Sequence, residues 1–102
     1  MLYQQGDVLL ISVDEIPEDA KMVTKQKGRY ILAEGEATGH AHAVTDKIDL
    51  FNVEENLFLN STTKFTVTHE EHKNITVPPG KYKISIVKEY DHFEEEARKV
   101  RD

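Results

Sequence analysis

The sequence predicts a mainly β fold, a small antiparallel β-barrel or sandwich carrying one C-terminal α-helix. Three observations predict it. Short apolar, β-branched runs recur at fairly even spacing and are broken by Gly, Pro, Asn, Asp and Ser, the pattern of strands joined by turns. In "KYKISIVKEY", Tyr82, Ile84 and Ile86 alternate with Lys81, Lys83 and Ser85, the period of a strand with one buried face. In "DHFEEEARKVRD" acids precede bases, which suits the dipole of a helix. A chain of 102 residues makes a single domain that buries roughly two thirds of its unfolded surface. The β part is expected over about 1–90 and the helix over about 91–101.

Taken in order, "DVLLISVDEIP" reads as a strand from Asp7 that stops at Pro17, followed by a polar connector to Arg29. "RYILAEGEATG" is a second strand, running into a turn at Gly35 and Gly39. Two or three short strands follow, broken at Asp46-Lys47, at Glu54-Glu55-Asn56 and at Ser61-Thr62-Thr63. In "KFTVTH" the alternation sets Phe65, Val67 and His69 on one face, so His69 points where the apolar residues point. "NITVPPG" is a short strand stopped by two prolines and a glycine, and the Tyr82 strand comes after it. Asp91 with Glu94 three residues later makes a capping box for the closing helix. Phe93, Ala97 and Val100 are its main apolar positions, which suits a helix covering a barrel end or a sheet edge.

The absence of cysteine removes disulfides, thiolate metal sites and cysteine nucleophiles, and suits a reducing compartment. The N-terminus has no basic region and no apolar run long enough for a signal or a membrane span, so a cytoplasmic protein is expected. A formal charge of -6 argues against grip on a phosphate backbone, which needs clustered Lys and Arg. No nucleic-acid or membrane partner is expected. A small-molecule ligand, a protein partner or a second copy of the chain fits better. Ser12, Ser61 and Ser85 lie in no nucleophile motif, and no glycine-rich loop is built to cradle phosphate.

Chemistry concentrates in the histidines. Four of the five form two tight pairs, His40 with His42 in "GHAH" and His69 with His72 in "HEEH". On a strand, residues i and i+2 share a face about 6–7 Å apart, so two imidazoles can converge on one ion with Zn–N bonds of about 2.0–2.1 Å. Ala41 and Ala43 would face the other way, where small side chains tolerate close packing. His69 is the best-placed third ligand, and His72 lies just beyond it. Asp46, four residues after His42, has the same face parity and is a candidate carboxylate ligand or a group that fixes an imidazole tautomer. Glu36, Glu70 and Glu71 are further carboxylates for those jobs, and His92 is expected to be solvated. The other readings are ordinary surface histidines and a pH-sensitive histidine cluster.

The stretch "GEATGHAHAVTD" resembles the first motif of the cupins, a glycine followed by HxH and then a carboxylate, and "PPG" resembles the proline–glycine turn of their second motif. The resemblance covers about a third of the chain. It implies a small β-barrel holding a metal, with ligand roles for His40, His42 and Asp46. Cupins usually carry glutamate where this chain has Asp46, and their last histidine follows the turn, whereas His69 and His72 precede it. The pattern also resembles small bacterial proteins of unassigned function that pair GHxH with a later HxxH before a Pro-Gly turn.

Two functions follow as expectations. In one, His40, His42 and His69, with His72 and Asp46 as further candidate ligands, supply a site for a divalent transition metal, Zn, Fe or Mn. The metal then serves an enzyme of unspecified substrate in which His72 or Glu71 transfers a proton. In the other, a closed shell of four histidines is a structural metal site, or the histidines line a partner-facing surface of a non-enzymatic binding or assembly module.

Overall fold

The computed structural model describes residues 1–35 and 39–87. Ten strands lie within them: β1 (Leu2–Gln5), β2 (Val8–Ser12), β3 (Lys21–Val23), β4 (Tyr30–Glu34), β5 (Ala41–Val44), β6 (Asp49–Val53), β7 (Asn56–Ser61), β8 (Phe65–Val67), β9 (Ile75–Val77) and β10 (Gly80–Ile86). Every strand pair is antiparallel. Six strands form one sheet in the order β1-β2-β10-β7-β6-β3, while β4-β5 and β8-β9 pair separately. The mainly β class is as the sequence predicts, but the barrel is corrected. β1 and β3 end the large sheet as edges, and the sheet does not close. The predicted helix over 91–101 lies outside the described residues.

Ladder register explains the core. Tyr3 faces Leu10, Leu10 faces Ile84 and Ile84 faces Leu57, giving one row across four strands. Tyr82, Leu59 and Leu50 make a second row on the same face. Leu32, Val44, Ile48, Phe65, Val67 and Val77, from the two smaller pairs and their connections, join the same buried cluster. Tyr82 is its hinge point. Its ring meets Tyr3 and Phe65 edge-on, each at 6.0 Å between centroids, and its hydroxyl donates to Pro78 O at 2.8 Å. Burial, reinforced by Tyr3, raises the Tyr82 pKa, so the phenol stays a neutral donor.

Two strands differ from the sequence reading. β1 precedes the expected start at Asp7, and β3 interrupts the expected connector between Pro17 and Arg29. Neither has a strong local strand signal. β1 carries two glutamines and pairs only with β2, and the three-residue β3 pairs only with β6. Their extended form comes from non-local ladders that override local propensity.

The β6–β7 hairpin turns through Glu54 and Glu55, both with positive φ, 51° and 71°. Such a two-residue turn matches the strand twist but favours Asn-Gly, since the left-handed conformation penalises residues that carry a Cβ. The E54N/E55G double variant is expected to raise the unfolding free energy by about 1 kcal/mol. Urea denaturation followed by circular dichroism would show this as a higher midpoint at unchanged slope; a lower midpoint would contradict the strained-turn reading.

Candidate metal centre

Gln5, the last residue of β1, organises the histidines. Only 3% exposed, its side-chain Nε2 donates to Val67 O and to Lys73 O, both at 2.9 Å. Both amide hydrogens are thereby used, and Oε1 lies 2.8 Å from Nδ1 of His42. An amide oxygen can only accept, so His42 Nδ1 carries the hydrogen and the neutral ring presents its lone pair at Nε2. Burial is the main influence holding the His42 pKa below its ordinary value. His69 and His72 push it the same way, and Asp7 opposes them.

β5 brings this histidine inward because Ala41, Ala43 and Val44 are buried along with it. Small Ala43 lets another backbone approach. Its N–H donates to Thr68 O at 3.0 Å, and Thr68 N–H donates back to Ala43 O at 2.9 Å. That bridge delivers the next residue, His69, beside His42, with ring centroids 4.3 Å apart. The chain then turns. Glu71 N–H donates to His69 Nδ1 at 3.0 Å, Glu70 accepts the Ala41 N–H at 2.9 Å, and Gln5 holds Lys73. The Ala41 hydrogen bond is the leading cause that lowers the Glu70 pKa, with Arg29 adding to it. His72 is thus set 4.7 Å from His69 and 5.7 Å from His42, centroid to centroid. One ligand atom from each of His42, His69 and His72 lies within 4.8 Å of the others.

Two glycines make room. A Cβ on Gly6, in the β1–β2 turn with φ +59°, would lie 2.7 Å from His72 Nε2. On Gly35 it would lie 3.2 Å from His69 Nε2. Two imidazole edges therefore rest on backbone that a larger residue would push away. His69 carries one electronic restriction. Because Nδ1 accepts a backbone N–H, the neutral ring keeps its hydrogen on Nε2. Ligation through Nε2 requires the tautomer with the hydrogen on Nδ1, which can no longer accept the Glu71 N–H, a loss of about 1 kcal/mol.

The other sequence candidates lie around this triad. His40, just before β5, puts Nδ1 2.9 Å from a Glu71 carboxylate oxygen and meets the His69 ring edge-on at 5.9 Å. Asp46 accepts the Thr66 N–H at 2.8 Å and so anchors β8. β5 ends at Val44, and the parity linking Asp46 to His42 does not extend to it. Glu36 and His92 lie outside the described residues. A separate groove of about 550 Å³, lined by Asp14, Glu15, Glu18 and Lys81 among others, shares no residue with the histidines. Sequence reading missed Gln5, Gly6, Asp7 and Gly35. "QQGD" is legible as a turn, but its contact with residues 42, 69 and 72 is a tertiary event.

The family described as Domain of unknown function (DUF8820) matches residues 4–87. The chain belongs to this family. The match takes in Gln5, Asp7 and all three histidines of the triad. No curated protein and no solved structure matches the chain. The cupin likeness rests on the motif residues alone. Among the described residues no helix is long and apolar enough to cross a membrane.

Two outcomes test the centre. Gln5→Leu leaves His42 Nδ1 and two carbonyls without their partner and is expected to destabilise the fold by about 1–3 kcal/mol; thermal melts of the variant and wild type measure it. The depressed His42 pKa means that the folded state binds fewer protons than the unfolded one below pH 6.5. The chelator-treated protein should therefore lose stability as the pH falls through that value toward the folded-state pKa. In His42→Asn the slope should be shallower; an unchanged slope would remove His42 as its source.

Proposed function

We propose that this protein binds one divalent transition-metal ion through His42, His69 and His72. The observation that carries the reading is the convergence of three imidazoles from two separate segments, with the His42 lone pair aimed by Gln5 into the space they share. Nitrogen donors suit Zn²⁺ and Fe²⁺ and admit Mn²⁺ with an added oxygen ligand. Gln5 has the place usual for an outer partner of a metal-ligating histidine, accepting from the nitrogen that does not ligate. His40 and Glu71 form a hydrogen-bonded pair beside the ion rather than a part of its shell.

A metal-dependent enzyme is the form of this function that exposure favours. His72 is exposed and the Asp7 side chain is half-exposed, so one side of the triad meets solvent. An ion held there can take a water or an oxygen donor of a small substrate as an exchangeable ligand, and acidify it. Glu71 and His40 are the proton-transfer groups at hand.

The test is a calorimetric titration of chelator-stripped protein with Zn²⁺. One equivalent is expected, with Kd raised at least about tenfold in each of His42→Ala, His69→Ala and His72→Ala. His40→Ala and Asp46→Ala should keep wild-type stoichiometry. Free ion at about one hundred times Kd should also add about 2.7 kcal/mol of stability to the wild type. Absence of binding by the wild type, or loss in His40→Ala alone, would refute the assignment.

A further inference from the structure

The chelating side of the site is open toward the β1–β2 turn, and the turn carries a carboxylate. Asp7 follows Gly6 in the two-residue connection that closes on the Gln5–Val8 pair. Its backbone is pinned on the far side, where Asp7 O accepts the Val87 N–H at 2.8 Å. Its side-chain Oδ1 lies 3.5 Å from His42 Nε2. Because Gln5 fixes the hydrogen on Nδ1, that nitrogen offers a lone pair to an oxygen that also offers one. Two acceptors face each other, which a cation between them would reconcile; the Asp7 oxygen approaches His42 but is not one of the three ligand atoms that lie within 4.8 Å of one another.

A proton on Nε2 fits poorly. A charge-assisted N–H···O⁻ bond closes to about 2.7–2.9 Å, well short of the 3.5 Å seen here. A metal ion fits better. Bonds of about 2.0–2.1 Å at tetrahedral angles place neighbouring ligand atoms about 3.3 Å apart, close to the observed separation. The turn also approaches the third histidine, because Gly6 lies directly under the His72 ring.

We infer that Asp7 is the fourth protein ligand, so that the ion is held by three imidazoles and one carboxylate drawn from the β1–β2 turn, β5 and the loop after β8. This inference rests on the histidine reading above and adds a residue to it. The carboxylate offsets one of the ion's two charges and supplies an oxygen donor that favours Zn²⁺, Fe²⁺ or Mn²⁺ over Cu⁺. Four protein ligands fill a tetrahedral Zn²⁺ shell but leave two positions on a six-coordinate Fe²⁺ or Mn²⁺. Metal identity then decides whether a substrate can be bound.

The experiment uses chelator-stripped full-length protein and Co²⁺, whose visible absorption reports ligand type and geometry, with Zn²⁺ affinity measured by competition against a chromophoric chelator. Asp7→Asn and Asp7→Ala are compared with Asp14→Asn, which makes the same charge change at an exposed acid away from the histidines. Circular dichroism of the metal-free forms checks that each variant is folded. Both Asp7 variants are expected to bind at least about tenfold more weakly and to shift the saturated Co²⁺ spectrum, while Asp14→Asn matches wild type. Wild-type affinity in the Asp7 variants, alongside loss in His42→Ala, overturns Asp7 and leaves the histidine site standing. Weaker binding with an unchanged Co²⁺ spectrum, or an equal loss in Asp14→Asn, reduces Asp7 to a distant charge and overturns its role as a ligand. No binding by the wild type removes the histidine site and Asp7 with it.

Discussion

The carboxamide of Gln5 is the joint on which the rest of the structure depends. Its one acceptor and two donors reach His42 on β5, Val67 on β8 and Lys73 in the loop after it. Those partners belong to three segments that share no ladder with β1, so a single buried side chain ties the edge of the large sheet to both small strand pairs. A buried amide in this position is tolerated because every one of its polar hydrogens is used. Its chemical consequence is as large as its structural one. By occupying Nδ1, it turns the other nitrogen of His42 toward the neighbouring histidines.

The open sheet suits such a joint better than a closed barrel would. Closure would pair β1 with β3 and leave the N-terminal edge no freedom to meet the small strand pairs. Instead β1 stays an edge, its turn projects past the ladder, and Gly6 lets the His72 ring lie against bare backbone. The backbone bridge between Ala43 and Thr68 does the complementary task, bringing the end of β8 to β5 so that His69 follows directly. The histidines therefore gather where three unconnected pieces of chain meet, next to the core but not inside it.

Much of the fold was legible because local alternation and burial share a cause. β10, with Tyr82 and Ile84 inward, and β8, with Phe65 and Val67 inward, were readable from period-2 patterning. β1 and β3 were not, because their extended form depends on partners distant in sequence. The two histidine pairs were legible as candidates for one site made by His40, His42 and one or both of His69 and His72, yet the spacing rule that joined His40 to His42 assumed a strand reaching His40. β5 begins at Ala41, and His40 turns instead to Glu71.

By itself the sequence determined the β class, the strands whose apolar residues alternate, and the chemistry on offer: nitrogen and oxygen donors with no thiol. Those follow from side-chain type and from a two-residue period, both local properties. The tertiary structure alone decided that the large sheet stays open, that Gln5 sets the tautomer of His42, and that Asp7, rather than Asp46, lies beside His42. These depend on ladder register and on one buried amide joining residues more than thirty positions apart. No periodicity in the chain encodes a meeting of that kind.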